Sequence, residues 1–286
     1  MNIIDDLKLQ YKLGGIAQRM IYWNVGCFLI SLVFFYQFKD GAFDFPNWIA
    51  LSSEPAVFLL RPWTLLSYAF FHDGFLHLFF NMMVLNFASS VFLTFFNPKQ
   101  YLGLYILSAI FAGLIFVLGF YILHFSGAIV GASAAIMAIL VAATTYSPLM
   151  NLRLLLIGNV KLWHITAVIL ILDLMQFRLE NSGGHISHLA GAFFGFMFIK
   201  LLQNGIDLSK IVSAIIDLFA NGFKRPSTPF KKVHKNYKKP VEKSSSKIVI
   251  KDKKQQQIDE ILDKISQSGY DSLNQEEKEF LFKAGK

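Results

Sequence analysis

Two short segments carry the residue types of acyl-transfer chemistry: Gly131-Ala132-Ser133-Ala134 and, some fifty residues later, His188-Leu189-Ala190-Gly191. A serine hydroxyl attacks a carbonyl only when a base takes its proton, and a neutral imidazole within hydrogen-bond reach can do so. Both segments open apolar stretches long enough to cross a bilayer. If a helix begins near Gly131, Ser133 lies in its first turn. There, unpaired backbone N–H groups and the positive end of the helix dipole would stabilise an oxyanion. Gly131, having no Cβ, would let the backbone come close to a substrate strand. Taken alone, the same four residues also read as a small-residue packing surface of the kind common between membrane helices.

The histidine segment adds a second constraint. His188, Gly191 and Gly195 stand at i, i+3 and i+7 and share one helix face. The two glycines make a small-xxx-small groove, and Ala134, Ala138 and Ala142 make a matching ridge. If ridge meets groove, His188 is carried to the depth of Ser133 and can serve it as base, then as acid to a leaving amine. His77 and Asn81, at i and i+4, also point one way and offer hydrogen-bond donors suited to an oxyanion. Polar bonding between helices is the bland reading of that pair. His72 is expected to orient a loop or neighbour, and His185 to stabilise a loop or hold water. Asp173 is costly in an apolar span, but its position near the outer end lets it reach the interface, so it receives no role. No carboxylate has the spacing of a third triad member. His185 and His188 have the spacing of a shared metal-ligand pair. However, no Glu accompanies them as in HExxH, and His72 and His77 share no helix face, so no metal is assigned.

These residues need membrane helices to hold them, and the composition supplies them. Of 286 residues, 54% are hydrophobic and only 16% charged, against roughly 25% charged in a soluble domain. The charges crowd into the last eighty residues or so. Six apolar stretches read as spans, at about 20–37, 74–95, 101–124, 131–148, 162–177 and 186–203. Basic residues at their ends (Lys8, Lys12, Arg19, Lys99, Arg153, Lys161, Lys200 and the tail) put both termini in the cytoplasm and the Ser133 and His188 ends outside. No cleavable signal peptide is evident, and the lone Cys27 gives no disulfide framework. The long loop 38–72, with Trp48, Trp63 and several prolines, is expected to be ordered and to seek the interface. The expected division is a membrane core over 1–203, an amphipathic helix and basic linker over 204–255, and a small cytoplasmic helical hairpin over 256–286. Within it, 207–222 is amphipathic. The Lys-rich 223–254 is expected to be disordered and drawn to anionic lipid. Ser272 is placed as the cap of the last helix.

At this point the residues resemble those of the rhomboid family of intramembrane serine proteases. Its signatures appear here as Gly131-Ala132-Ser133-Ala134, as His188 followed by Gly191 and Gly195, and as His77 with Asn81. The resemblance covers about residues 15–203, including Arg61-Pro62-Trp63 in the long loop. It implies an all-α, polytopic, six-transmembrane-helix bundle with a small helical tail. It also implies a Ser133–His188 dyad without an acid, and an oxyanion site from the Ser133 backbone N–H, His77 and Asn81. The expected partners are transmembrane-helix protein substrates and the lipid bilayer. No nucleic acid, metal or other cofactor is expected. The implied location is a multi-pass protein of a bacterial inner membrane. Three departures are visible: Ala134 where many members have Gly, Met137 where many have a tyrosine stacking on the histidine, and Thr64 where Arg often follows Trp63. The tail resembles a C-terminal extension of rhomboid-like proteins in Bacteroidetes-type bacteria. The alternative is a rhomboid-like protein that binds membrane clients without cutting them; such proteins usually lack the Ser or His that this chain keeps. A small-solute transporter would show a repeated half-structure, and none is seen.

Overall fold

The protein is described by a computed structural model over residues 2–154, 158–176, 182–222 and 245–284. It divides into two compact units, Met1–Arg225 and Pro226–Lys286. In the first, α1 (Ile3–Leu13) and α2 (Ile16–Phe34) lead into a loop carrying the hairpin β1 (Tyr36–Gln37) and β2 (Ala42–Phe43), then β3 (Leu51–Ser52), α3 (Pro55–Leu60) and α4 (Thr64–Ser67). Two long helices follow, α5 (Phe75–Leu93) and α6 (Pro98–Leu123). Next come β4 (Ala128–Ile129), α7 (Ser133–Tyr146), the hairpin β5 (Asn151–Leu154) and β6 (Gly158–Lys161), α8 (Leu162–Gln176), α9 (Ser182–Gln203) and α10 (Ser209–Gly222). Four helices are long and apolar enough to cross a membrane: Ile16–Phe34, Phe75–Leu93, Pro98–Leu123 and Gly183–Gln203. With the shorter apolar α7 and α8 they make the expected six, so this is an all-α polytopic membrane protein. The first and last spans begin earlier than hydropathy suggests, at Ile16 and Ser182, because polar first turns such as Gln18-Arg19 are helical without being apolar.

Helix α7 is the centre of the bundle. Nine of its residues, from Ala134 to Ala143, are buried, while α5, α6, α8 and α9 present exposed Phe79, Leu118, Ile171 and Phe193 outward. Side chains of that kind face lipid without cost. Its tightest neighbour is α9. A Cβ built on Gly191 would lie 2.1 Å from the Ala134 carbonyl oxygen, and one on Gly195 would lie 2.2 Å from that of Ala138. The groove and ridge therefore meet backbone to backbone. Between α7 and α8, Thr144 and Thr166 share a hydroxyl–hydroxyl bond of 2.6 Å. Helix α6 starts on a capping box, Asn97 with Gln100, and ends on His124 in the left-handed region.

The loop before α5 is ordered, with Ile49, Ala50, Leu51, Tyr68 and Ala69 buried. The Tyr68 hydroxyl donates to the Ala109 carbonyl (2.9 Å) and Tyr105 donates to that of Ala69 (2.8 Å), pinning the loop to α6. Trp48 and Trp63 stay about half exposed, and the Trp63 indole N–H donates to the Trp48 carbonyl. Strand β3 pairs antiparallel with β4, so the loop also touches the segment that enters α7. His72 closes the loop, fully buried, with neither ring nitrogen hydrogen-bonded. Burial, and then the neighbouring His77, push its pKa from the ordinary 6.5 down to about 3.

The structure changes three readings of the tail. Helix α10 packs on α6, where a Cβ on Gly103 would lie 2.5 Å from the Ser209 Cβ, so it belongs with the membrane unit rather than with a linker. Residues 223–244 lie outside the described residues. In the second unit α11 (Ser245–Ser268) starts well before residue 256, so 245–254 are helical rather than disordered. Its α12 (Gln275–Ala284) is capped by Asn274, not Ser272. The Glu277 N–H donates to Asn274 Oδ1 (2.8 Å) and the Asn274 N–H to Glu277 Oε2 (2.9 Å), while the Ser272 hydroxyl is engaged with the Gly269 carbonyl. Lys264 reaches Glu277 at 2.9 Å and, with the Asn274 N–H, holds that carboxyl below its usual range.

Two outcomes follow from these contacts. Gly195→Leu forces α7 and α9 apart and is expected to cost at least ~3 kcal/mol in detergent, read by thermal or denaturant unfolding. A variant as stable as wild type would refute the backbone contact. His72 stays neutral when folded, whereas the unfolded chain takes up its proton near pH 6.5. Its contribution is therefore complete above pH 6.5 and is lost as pH falls towards 3, with a slope of at most ~1.4 kcal/mol per pH unit. Unfolding measured at pH 7, 6 and 5 should show a shallower decline in His72→Leu than in wild type, and parallel declines would rule this out.

Candidate active site

Ser133 is the first residue of α7, and the turn before it is shaped by Gly131. The Gly131 N–H donates to the Tyr68 carbonyl (2.9 Å), and its φ of 138° lies where side chains are strained. A Cβ there would also fall 3.1 Å from His77 Nε2 and 3.5 Å from Ser133 Oγ. The glycine thus keeps open a space between a histidine nitrogen and the serine hydroxyl. The opening N–H groups of α7 have no partners within their own helix and face the same end. Nothing in α7 caps them: Ala132 is at the N-cap and offers no side-chain acceptor.

His188 comes from α9, one turn ahead of the Gly191 contact. Its Nε2 lies 2.5 Å from Ser133 Oγ, and the side chain keeps 22% of its surface. Ser133 is half-buried. His77 and Asn81 come from α5. His77 Nδ1 is 2.5 Å from Asp73 Oδ1, which leaves Nε2 turned to the space beside Gly131. That bond, outweighing burial, holds the Asp73 carboxyl below its ordinary range. His72 packs edge-on against the His77 ring at 5.1 Å. Asn81 Nδ2 is buried without a hydrogen-bond partner. A cavity of about 400 Å³ joins Ser133, His188, His77 and Asp73, walled by Phe43, Phe45 and Ile129 among others.

One residue was not foreseen. Asp173 does not reach for the interface; its side chain is 9% exposed and turned inward. Its Oδ1 lies 2.6 Å from His188 Nδ1 and 2.7 Å from His185 Nδ1. No spacing rule joins residues on two different helices. The available signal was energetic: a carboxyl inside an apolar span needs a partner. Asp173, His185 and His188 are also the grouping, among the described residues, that could hold a metal ion. Their N···O separations are those of charge-assisted hydrogen bonds, shorter than the ~3.3 Å between ligands around a tetrahedral zinc with bonds near 2.0 Å. In this conformation both imidazoles bond to one oxygen of the same carboxyl.

Comparison with protein families gives two matches. The Rhomboid domain model matches residues 60–204, and a family of unknown function, DUF6576, matches residues 249–283. No curated protein matches the chain. The Rhomboid match spans half of the sequence and contains α5 to α9, the helices that carry Ser133, His188, His77 and Asn81. This integral membrane protein belongs to the rhomboid family.

Proposed function

We propose that the protein is an intramembrane serine endopeptidase that hydrolyses a peptide bond in or near the transmembrane segment of membrane-protein substrates. The observation carrying this reading is the 2.5 Å approach of His188 Nε2 to Ser133 Oγ at the start of α7. His188 takes the hydroxyl proton as Oγ attacks the scissile carbonyl carbon. The oxyanion is met by the Ser133 backbone N–H, by Asn81 Nδ2, whose donor is otherwise unused, and by an N–H on His77 Nε2, with Asp73 at the ring's Nδ1. His188 then gives its proton to the leaving amine. Water entering the cavity attacks the acyl-enzyme by the same base catalysis, and the second product leaves as a carboxylic acid.

The positive-inside pattern supports an orientation with both termini in the cytoplasm and this cavity open to the outer side. The Lys-rich stretch 223–254 suits an anionic lipid surface, at roughly 1 kcal/mol per Lys near the headgroups. A non-catalytic role in binding membrane clients is the competing reading, and the cutting assay separates the two.

Ser133→Ala and His188→Ala should each lower cleavage of a membrane-spanning reporter by at least ~10³-fold with expression unchanged. Labelling by a fluorophosphonate should vanish in Ser133→Ala. Retained cleavage in that variant would sink the proteolytic reading, and a folded but inactive wild type would favour client binding. Deleting 223–244 should weaken flotation with phosphatidylserine vesicles relative to neutral ones, and equal flotation would dismiss the lipid contact.

A further inference from the structure

We infer that Asp173 is the positioning residue for His188, so that the reacting group is Ser133–His188–Asp173 rather than a dyad; the inference rests on the proteolytic reading proposed above. Asp173 Oδ1 accepts from His188 Nδ1 at 2.6 Å while Nε2 of the same ring faces Ser133 Oγ at 2.5 Å. An N–H on Nδ1 leaves the lone pair on Nε2, which is the tautomer a general base must have. The ring is thereby held at both ends. When it receives the Ser133 proton, the new positive charge forms against the carboxyl. That proton goes on to the leaving amine, and Asp173 itself never takes it.

Three further observations point the same way. Asp173 is the single acidic residue in α8, and its neighbours Leu172 and Leu174 are exposed while its side chain is 9% exposed. A buried carboxyl is a poor way to hold helices together, since apolar packing of similar volume does so as well or better. Its presence there therefore speaks for what it bonds. His185 Nδ1 also reaches Oδ1, at 2.7 Å, so the carboxyl is fixed from a second direction. Finally, the Thr144–Thr166 bond ties α8 to α7, the helix that carries Ser133, so both partners of His188 share one frame.

The test compares full-length wild type, Ser133→Ala, Asp173→Asn and Asp173→Glu in proteoliposomes. It reads kcat and KM for a transmembrane reporter and the rate of fluorophosphonate labelling. Asp173→Asn is expected to lower kcat and labelling together by at least about 100-fold, because an amide admits the wrong tautomer, with KM moving less than about threefold. Asp173→Glu, which restores a carboxyl, should recover part of that loss. A role confined to helix packing would lower Tm but leave kcat of the folded protein within about threefold of wild type, and that result overturns the inference. Should Asp173→Asn fail to fold, ¹⁵N-histidine NMR of the wild type decides. A resting His188 protonated at Nδ1 supports the inference; one protonated at Nε2 overturns it. Cleavage persisting in Ser133→Ala defeats the parent reading instead, and is told apart because it leaves the histidine tautomer as measured.

Discussion

The contact on which the site depends is between two helix backbones. Lipid offers no hydrophobic force to drive α7 and α9 together, so close packing must supply the attraction. Gly191 and Gly195 permit that packing because the Ala134 and Ala138 carbonyls occupy the places their Cβ atoms would need. Ser133 immediately precedes Ala134, and His188 lies three residues before Gly191. The separation of hydroxyl and imidazole is therefore fixed by main chain rather than by long side chains free to drift. A tolerance of a few tenths of an ångström in the helix contact becomes the tolerance of the 2.5 Å approach.

Around that axis the two histidines are treated alike but in different media. His77 leans on Asp73 in the loop before α5, where the carboxyl is more than half exposed. His188 leans on Asp173 within an apolar helix, where the carboxyl is 9% exposed. In each case Nδ1 is bonded to the carboxyl and Nε2 faces the space around Ser133; on the proposed reading one ring serves the oxyanion and the other the hydroxyl. Gly131 leaves empty the volume between His77 and Ser133 that a side chain would fill.

Much of this was legible in the sequence because it is periodic. The apolar runs gave the six spans. The i, i+3, i+7 face of His188, Gly191 and Gly195 told which side of α9 meets the alanine ridge. What periodicity cannot carry is the register between helices not joined by a repeated pattern. Asp173 is the case in point: its distance from His188 depends on how α8 lies against α7 and α9. Local hydrogen bonding moved the tail's cap from Ser272 to Asn274, since Glu277 is three residues from the latter. Helix α10 read as a surface element from its amphipathic pattern alone. It packs on α6 because Gly103 admits Ser209 at close range, a pairing more than a hundred residues apart in the chain.

The distribution of unsatisfied polar atoms ties structure to chemistry. Among the described residues five buried side-chain atoms lack hydrogen-bond partners, and four of them belong to His72, Asn81 and Asp173. Each such atom costs on the order of 1–3 kcal/mol, so a fold selected for stability alone would scatter or remove them. Here they gather where α5 and α8 approach the start of α7. On the proteolytic reading an oxyanion is the acceptor that Asn81 lacks, and the cavity at Ser133 and His188 is the place for the hydrolytic water. The central helix contributes to the same end. With 14 residues α7 is about 21 Å long, short of the ~30 Å hydrocarbon layer. Its first residue, Ser133, lines the cavity shared with His188 and His77. On the proteolytic reading, the reaction partner relieves part of the cost of these unpaired polar atoms.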